Sequence, residues 1–191
     1  MIIQKKIDQN IADLISQGGI GVLATDTIYG LVVSVWKKES IERAYKIRKR
    51  DERKPMIVLI SSWEDLDRFG AVISEKEKEE LSKWWPGKIS IILPCQKAGT
   101  EHLRRGKSSL AFRWPKKKDL ERLIRKTGPL LAPSANTSGM SPAKNIEEAL
   151  KYFGNKADFY IDEGEIDSEP STLVDFHLGH MRVIRPGAVK V

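Results

Sequence analysis

A run of short polar side chains follows an apolar segment in GPLLAPSANTSGMSPA, residues 128–143. Leu130 and Leu131 are typical of a buried strand, whereas Ser134, Asn136 and further hydroxyl groups come directly after them. Hydroxyl and amide groups can donate hydrogen bonds to anionic oxygens. The same groups can also cap the backbone of a tight turn. We therefore expect either a self-capped turn or an array of donors for an anionic ligand.

A cluster of cations occupies KIRKRDERKP, residues 46–55, which carries six Lys and Arg in ten residues. Such a run can be the solvated end of a helix, where positive charge complements the helix dipole. Arg48 and Arg50 lie two residues apart and need not share the outer face of a helix once that helix has ended. Paired guanidinium groups make bidentate contacts with phosphate oxygens. The second interpretation is therefore a phosphate site.

Two further segments, ATDTIYGL (24–31) and SSLAFRWP (108–115), carry polar groups where an apolar run ends. Thr27 falls in the turn after the first run, which can be a plain turn capped by its own hydroxyls. Arg113 falls in a strand, where it either reaches solvent or binds a carboxylate. Clefts often open where strands end at the edge of a sheet. We expect all four segments to converge there on one basic, hydroxyl-lined hollow.

The elements that would position these segments follow from the apolar spacing. It predicts helices at 7–15, from a capping Ser40 onward, at 62–69, 74–85, 116–126 and 145–153. Runs rich in β-branched residues predict strands at 20–24, 31–35, 54–60, 88–94 and 108–115, and a hairpin over 171–187 with its turn near Leu178-Gly179. Because these elements do not alternate as strict βαβ units, we expect a single α/β domain over residues 1–191, with a mixed, twisted sheet flanked by helices.

The composition is that of a globular protein, with 40% hydrophobic and 31% charged residues. No apolar stretch approaches about 18 residues and MIIQKKIDQN lacks the apolar core of a secretory signal, so we expect a cytoplasmic protein without membrane contact. The single Cys95 and three His predict neither an intramolecular disulfide nor a metal-ligand cluster. The formal net charge of +7 favours polyanionic partners.

Seven motifs in one order carry a resemblance to a known family: TDTIYGL, RKRDERKPM, WPGKISIIL, AFRWP, PSANTSG, STLVDF and IRPG. From about Ile20 to Gly187 the chain resembles the YrdC-like threonylcarbamoyl-AMP synthases, in their short, single-domain form. The resemblance implies an α/β domain with a concave, basic face. It also implies a nucleotidyltransferase that makes threonylcarbamoyl-AMP and pyrophosphate from L-threonine, bicarbonate and ATP, for threonylcarbamoyladenosine modification of tRNA.

The resemblance assigns roles to residues through the matching motifs. Positions that bind threonine in the family match Thr27, Arg113, Ala132 and Ser171. Positions around ATP match Arg50, Lys54, Ser109, Ser134, Ser141 and Arg185. The catalytic tetrad of the family matches Arg48, Arg50, Ser134 and Asn136. Because Mg²⁺ commonly keeps several waters and uses few protein ligands, we expect it to arrive with ATP and no metal to be held by the protein. The resemblance further implies tRNA and a downstream threonylcarbamoyl transferase complex as candidate partners.

Two positions depart from the family pattern. Arg48 stands where the family has lysine, and the literal Lys-x-Arg at Lys46 lies two residues too early, so we keep the spacing because register decides where a side chain points. Leu59 stands where many relatives have a histidine at the threonine pocket. These departures leave open a paralogue of the same fold that adenylates a different carbamate.

A non-catalytic RNA-binding module is the other alternative. Its cations would hold phosphates, and tryptophan rings would stack on bases. The rings available for stacking are those of Trp63, Trp84, Trp85 and Trp114. Clustered hydroxyl groups next to Asn136 favour a small-ligand pocket over a groove that follows a nucleic-acid backbone.

Overall fold

The computed structural model describes residues 1–177 and 179–191; Leu178, part of the predicted hairpin turn, lies outside them. The strands are β1 (Ile2–Gln4), β2 (Gly21–Ala24), β3 (Tyr29–Ser34), β4 (Val58–Leu59), β5 (Ile89–Pro94), β6 (Ser109–Arg113), β7 (Leu130–Leu131), β8 (Phe159–Ile161), β9 (Thr172–His177) and β10 (His180–Arg185). The helices are α1 (Gln9–Ser16), α2 (Lys38–Arg48), α3 (Glu64–Asp67), α4 (Glu75–Ser82), α5 (Glu101–Arg104), α6 (Lys118–Thr127) and α7 (Ile146–Phe153). A short 3-10 turn at Gly154–Lys156 follows α7.

The ten strands form one mixed sheet in the order β1-β8-β2-β3-β7-β4-β6-β5-β9-β10. β4 pairs in parallel with β6 and antiparallel with β7, while β3 pairs antiparallel with both β2 and β7. This arrangement confirms the predicted α/β fold with a mixed sheet. It also places β7, β4 and β6 side by side although they lie far apart in the chain. The polar segments that adjoin these strands are thereby brought together.

Helices cover both faces of the central part of the sheet, where β2, β3, β4, β7 and β8 are buried, whereas the edge strands β1 and β10 are mostly exposed. Along β3, Leu31 and Val33 belong to the larger apolar cluster, whereas Val32 belongs to a smaller cluster on the other face. This alternation follows from the two-residue period of a strand. The smaller cluster includes Ile15 of α1 and Leu123 of α6. The predicted helices at 7–15 and 116–126 are therefore confirmed as amphipathic covers of the sheet.

Several predicted boundaries are wrong, and one predicted cap is wrong. Ser40 does not cap a helix, because α2 begins at Lys38 and the Ser40 hydroxyl donates instead to the Gly18 carbonyl oxygen at 2.6 Å. The strand predicted at 54–60 is reduced to β4, and the helix predicted at 62–69 is reduced to α3. Among the described residues, no helix combines the length and apolar character needed to cross a lipid bilayer.

The tryptophans that could stack on RNA bases pack within the protein. Trp85 is 4% exposed, and the ring of Trp63 lies 5.7 Å from the Trp85 ring and 5.8 Å from the Trp114 ring, centroid to centroid. Trp84 is partly buried and packs against the same apolar cluster. These rings therefore pack against the hydrophobic core, which argues against their stacking on RNA bases.

Candidate functional site

Two adjoining cavities occupy the place where the polar segments meet. The small cavity has a volume of about 210 Å³ and the large cavity about 380 Å³. Ile57, Ser134 and Arg185 line both of them. The predicted site residues in the small cavity are Thr27, Arg113, Ala132, Ser134, Asn136, Ser171 and Arg185. Those in the large cavity are Arg48, Arg50, Ser109, Ser134 and Arg185.

A buried arginine dominates the small cavity. Arg113 is the last residue of β6 and is 5% exposed; its Nη1 donates to Thr27 Oγ1 at 2.8 Å and its Nη2 donates to the Asp26 carboxylate. Its Nε is buried and has no acceptor among the residues that the structure describes. Burial lowers the pKa of Arg113, and the negative charge of Asp26 opposes that shift. The guanidinium thus keeps an unused donor, which suits a carboxylate of a ligand.

Hydroxyl groups and apolar side chains complete the small cavity. Thr25 Oγ1 lies 3.1 Å from Thr27 Oγ1, and the Ser171 hydroxyl is hydrogen-bonded to that of Ser90 at 2.8 Å. Ile57 and Ala132 contribute apolar surface. A cavity with a cation at one side, hydroxyls and an apolar wall can hold a small amino acid by its carboxylate and its side chain.

The large cavity contains a buried guanidinium that has no carboxylate partner within residues 1–177 and 179–191. Arg48, 2% exposed, donates through Nη2 to Ser134 Oγ at 3.1 Å and to Asn136 Oδ1 at 2.8 Å, and through Nε to the Asn136 carbonyl oxygen at 3.2 Å. Its Nη1 is buried and finds no acceptor in the described part of the chain. Burial, reinforced by the nearby charge of Arg50, lowers the pKa of Arg48 to about 10. The group therefore remains a cation at neutral pH.

Two more arginines add to this positive charge. Arg50 donates to the carbonyl oxygens of Lys54 and Pro55, at 3.1 and 2.9 Å, and Arg185 donates to the Ser171 carbonyl oxygen at 2.8 Å. Burial lowers the pKa of Arg185, and the charge of Arg50 contributes further. Within the part of the chain that the structure describes, neither arginine forms a salt bridge. Uncompensated cations around a cavity favour the binding of a polyanion.

The end of α2 explains why Arg48 and Arg50 reach one cavity. Lys49 adopts the left-handed conformation, with φ +52°, and the amide of Arg50 donates to the Tyr45 carbonyl oxygen at 3.1 Å. A left-handed residue reverses the chain at a helix C-terminus. Arg50 consequently leaves the helical surface and returns toward the site, in accordance with the interpretation of the basic segment as more than a solvated helix end.

The segment PSANTSG is both a self-capped turn and part of the site. Ser134 Oγ donates to Asn136 Oδ1 at 2.7 Å, and the Ser138 amide donates to the Arg48 carbonyl oxygen at 2.7 Å. Ser134 also forms an isolated bridge with Gly30, which ties the segment to β3. The two interpretations of this segment are therefore compatible, because the same groups that order the loop also hold the buried guanidinium.

Two predicted ATP-site residues do not line either cavity. The side chain of Lys54 is exposed, and its carbonyl oxygen accepts from Arg50 Nε and the Tyr45 hydroxyl. Ser141 is also exposed, and its carbonyl oxygen accepts from the Tyr152 hydroxyl at 3.0 Å. The structure thus holds these residues through their backbone and leaves their side chains outside the cavities.

Sequence reasoning missed several residues at the site. Lys107 lines the large cavity and directly precedes the strand segment SSLAFRWP, which is the signal that could have identified it. Asp26 lies in the motif TDTIYGL, but the motif predicts no role for it. Ile57 lines both cavities, whereas Leu59, the expected departure from the family, is 1% exposed and lies beside Arg113 in the sheet without lining either cavity.

The lining of the two cavities does not fit a metal ion held by the protein. Magnesium sites in proteins use carboxylate oxygens. The described residues that line these cavities are cations, hydroxyls, an amide and apolar groups, and the nearby Asp26 is engaged by Arg113. No group of three or more metal-ligating side chains occurs among the described residues.

A groove of about 750 Å³ at the opposite end of β7 has a different character. Gly128, which precedes β7, lines the groove, whereas Ala132, which follows β7, lines the small cavity. Residues of both charges line the groove, and the charges partly cancel. Arg68 lies 3.4 Å from the Asp65 carboxylate, and Glu64 also lines the groove. This groove therefore does not provide the concentrated positive charge of the large cavity.

Known proteins similar to this chain include enzymes and a structure with a bound amino acid. A putative threonylcarbamoyl-AMP synthase of Mycobacterium tuberculosis (strain H37Rv) is 27% identical over 176 residues, which cover 92% of this chain and 81% of the relative. The threonylcarbamoyl-AMP synthase of Bacillus subtilis (strain 168) is 32% identical over 136 residues, 70% of this chain and 39% of the relative.

The crystal structure of Pyrococcus abyssi Sua5 complexed with L-threonine superimposes with a TM-score of 0.88 at 26% identity. The match covers 98% of this chain and 57% of that protein, so this chain spans little more than half of the longer relative. A family model described as telomere recombination, that of Sua5, YciO and YrdC, matches residues 13–187. With its fold and most of its length thus matched, the chain belongs to the Sua5/YciO/YrdC family.

Proposed function

We propose that this protein is an L-threonylcarbamoyladenylate synthase, a nucleotidyltransferase that forms threonylcarbamoyl-AMP and pyrophosphate from L-threonine, bicarbonate and ATP. The observation that carries the proposal is the buried guanidinium of Arg48, which lacks a carboxylate partner among the described residues and lines a cavity with Arg50 and Arg185. The names of the relatives and the threonine complex of one of them support the same activity.

The small cavity would hold threonine. Its carboxylate would accept from the guanidinium of Arg113, which lines this cavity beside the hydroxyl of Thr27. The side-chain methyl group would face the apolar surface of Ile57 and Ala132, which line the same cavity. These contacts leave the amine directed toward the large cavity, across the shared residue Ser134.

The large cavity would hold the reacting phosphates. The threonine amine and bicarbonate first form an N-carboxylate with loss of water; a carboxylate oxygen then attacks the α-phosphorus of ATP, and the bond to the β-phosphate oxygen breaks to release pyrophosphate. Every reacting partner is an anion, so the main requirement is fixed positive charge and oriented donors. Arg48, Arg50, Arg185 and Ser134 supply them, and no side-chain nucleophile takes part.

Magnesium would be bound by the phosphates of ATP and by water. Mg²⁺ commonly keeps several waters and binds together with substrate phosphates. When bound, it would neutralise part of the triphosphate charge. The product is a mixed carboxylic-phosphoric anhydride, which water hydrolyses readily, so a transferase that delivers the threonylcarbamoyl group to tRNA is the expected consumer.

The decisive test is a turnover assay with purified protein, ATP, bicarbonate and single amino acids. The proposal requires pyrophosphate release that depends on threonine, together with threonylcarbamoyl-AMP detected by mass spectrometry. Turnover with another amine and none with threonine would identify the paralogue instead. RNA binding that weakens steeply with salt, without any turnover, would identify the RNA-binding module.

Ser134→Ala is expected to lower kcat/KM roughly 30-fold, about 2 kcal/mol in the barrier, because it removes a hydrogen-bonding group of a charged site. Ser134 contacts Arg48 and lines both cavities. Ser138→Ala is the matched control, since Ser138 lies in the same loop and is exposed. Steady-state kinetics of both variants provide the comparison, and equal activities would exclude the proposed role of Ser134.

A further inference from the structure

An ion pair separates the small cavity from a third cavity of about 600 Å³ on its other side. Arg113 lines the small cavity, whereas its partner Asp26 lines the third cavity. Both side chains are 6% exposed. The guanidinium therefore has one side toward the small cavity and the carboxylate behind it.

The Asp26 carboxylate is fixed by two different donors. Oδ1 accepts from Arg113 Nη2, and Oδ2 accepts from the backbone amide of Lys116 at 3.1 Å. The turn that carries Asp26 is itself ordered, because Thr25 Oγ1 accepts from the amides of Thr27 and Ile28 at 3.2 and 3.3 Å. Hydrogen bonds thus fix the position of the carboxylate between the loop after β2, which carries Asp26, and the end of β6 with the loop that follows it.

We propose that Asp26 is a positioning residue that sets the orientation of Arg113 for the substrate carboxylate, an inference that rests on the proposed function. Thr27 Oγ1 holds Nη1 and Asp26 holds Nη2, so two fixed contacts determine the plane of the guanidinium. The guanidinium held in this way lines the small cavity. A planar guanidinium recognises a carboxylate only when its plane is correctly set.

The opposite role would make Asp26 an internal competitor that threonine must displace from Arg113. Its position argues against displacement, because Asp26 lies on the side of the third cavity and its second oxygen is held by Lys116. A competitor and a positioning residue also have opposite consequences. Removal of a competitor strengthens threonine binding, whereas removal of a positioning residue weakens it.

The test compares Asp26→Asn with Glu163→Gln. Asn keeps the size of Asp, but one acceptor oxygen is replaced by an amide NH2, which donates and cannot accept, so the separate contacts of the two oxygens with Arg113 and Lys116 are not both kept. Glu163 pairs with Lys117, which also lines the third cavity, so Glu163→Gln removes one carboxylate nearby without touching Arg113. Asp26→Asn is expected to raise the KM for threonine roughly tenfold or more and the KM for ATP by less than about threefold. Glu163→Gln is expected to leave both within about twofold.

Calorimetric titration of threonine without ATP provides a second readout, in which Asp26→Asn weakens binding by the same factor. Unchanged or tighter threonine binding overturns the inference, as does an equal rise in both KM values, which indicates a general loss of structure. If thermal melting shows that Asp26→Asn is unfolded, Asp26→Glu replaces it, because a displaced carboxylate must also raise the KM for threonine.

A wild-type protein that neither binds nor uses threonine overturns the proposed function itself, whereas an active wild type with an unaffected Asp26→Asn overturns only this inference.

Discussion

Arg48→Met is expected to lower kcat/KM for threonylcarbamoyl-AMP formation roughly 10³-fold, about 4 kcal/mol, while the protein stays folded. Arg48 is the buried cation of the large cavity, and no described residue provides an acceptor for its Nη1. Methionine fills a similar volume but offers neither charge nor donors. The developing charge on the α-phosphate would then lose its most buried cation, in surroundings where electrostatic interactions are strong.

The stability of the same variant is expected to change by no more than about 1 kcal/mol. Burial lowers the pKa of Arg48 to about 10 from its ordinary value. A cation whose pKa is lower in the folded state binds its proton more tightly in the unfolded chain, so at neutral pH its charge favours unfolding. Removal of that charge therefore offsets the hydrogen bonds that Arg48 makes with Ser134 and Asn136.

Lys46→Met is the matched control for Arg48→Met. Lys46 lies on the same helix two residues earlier and is exposed, so this variant removes one positive charge from α2 outside the cavities. Denaturant unfolding and steady-state kinetics of the two variants show whether an effect comes from the loss of one positive charge on α2 or from the loss of the charge in the cavity. Equal activity losses in both variants would contradict the assignment of Arg48, and so would a loss of more than about 3 kcal/mol of stability in Arg48→Met.

Local sequence signals predicted the segments of the site, and the order of strands then determined how the segments meet. Apolar runs that turn polar identified the surroundings of Thr27, Arg113 and Ser134, and all three line the small cavity. The adjacency of β7, β4 and β6 could not be predicted, because strands of two residues carry little periodicity. β1 and β8, three residues each, were missed for the same reason.

Side-chain direction was the part of the site least accessible from the sequence. Lys54 and Ser141 belong to motif segments that do build the cavities, yet both side chains are exposed. The left-handed Lys49, a conformation uncommon for residues other than Gly, turns Arg50 back toward the site. The ion pair of Asp26 with Arg113 joins residues 87 positions apart in the chain. Such features depend on tertiary packing, which no local pattern encodes.

Unlike Arg48→Met, Arg113→Met is expected to lower the stability of the protein as well as its activity, because Arg113 has a buried carboxylate partner. Removal of one member of a buried ion pair leaves the other charge uncompensated, which typically costs about 3–5 kcal/mol of stability. Asp26, 6% exposed on its side chain, would be left in that state. Under the proposed function, loss of the guanidinium that would bind the substrate carboxylate should also raise the KM for threonine at least about 100-fold. Denaturant unfolding and threonine titration measure the two effects.

The double variant Asp26→Asn with Arg113→Met separates stability from binding. Replacement of a buried ion pair by neutral side chains is often neutral for stability, so the double variant should regain most of what Arg113→Met loses. It should still not bind threonine, because the guanidinium is absent. Recovered binding in the double variant would show that Arg113 serves only to neutralise Asp26, and the same stability in both variants would show that the pair is not coupled. The two buried arginines of the described residues thus differ in partner: removal of Arg48, which has no carboxylate partner there, is expected to cost activity with little stability, whereas removal of Arg113 alone is expected to cost both because it leaves Asp26 uncompensated.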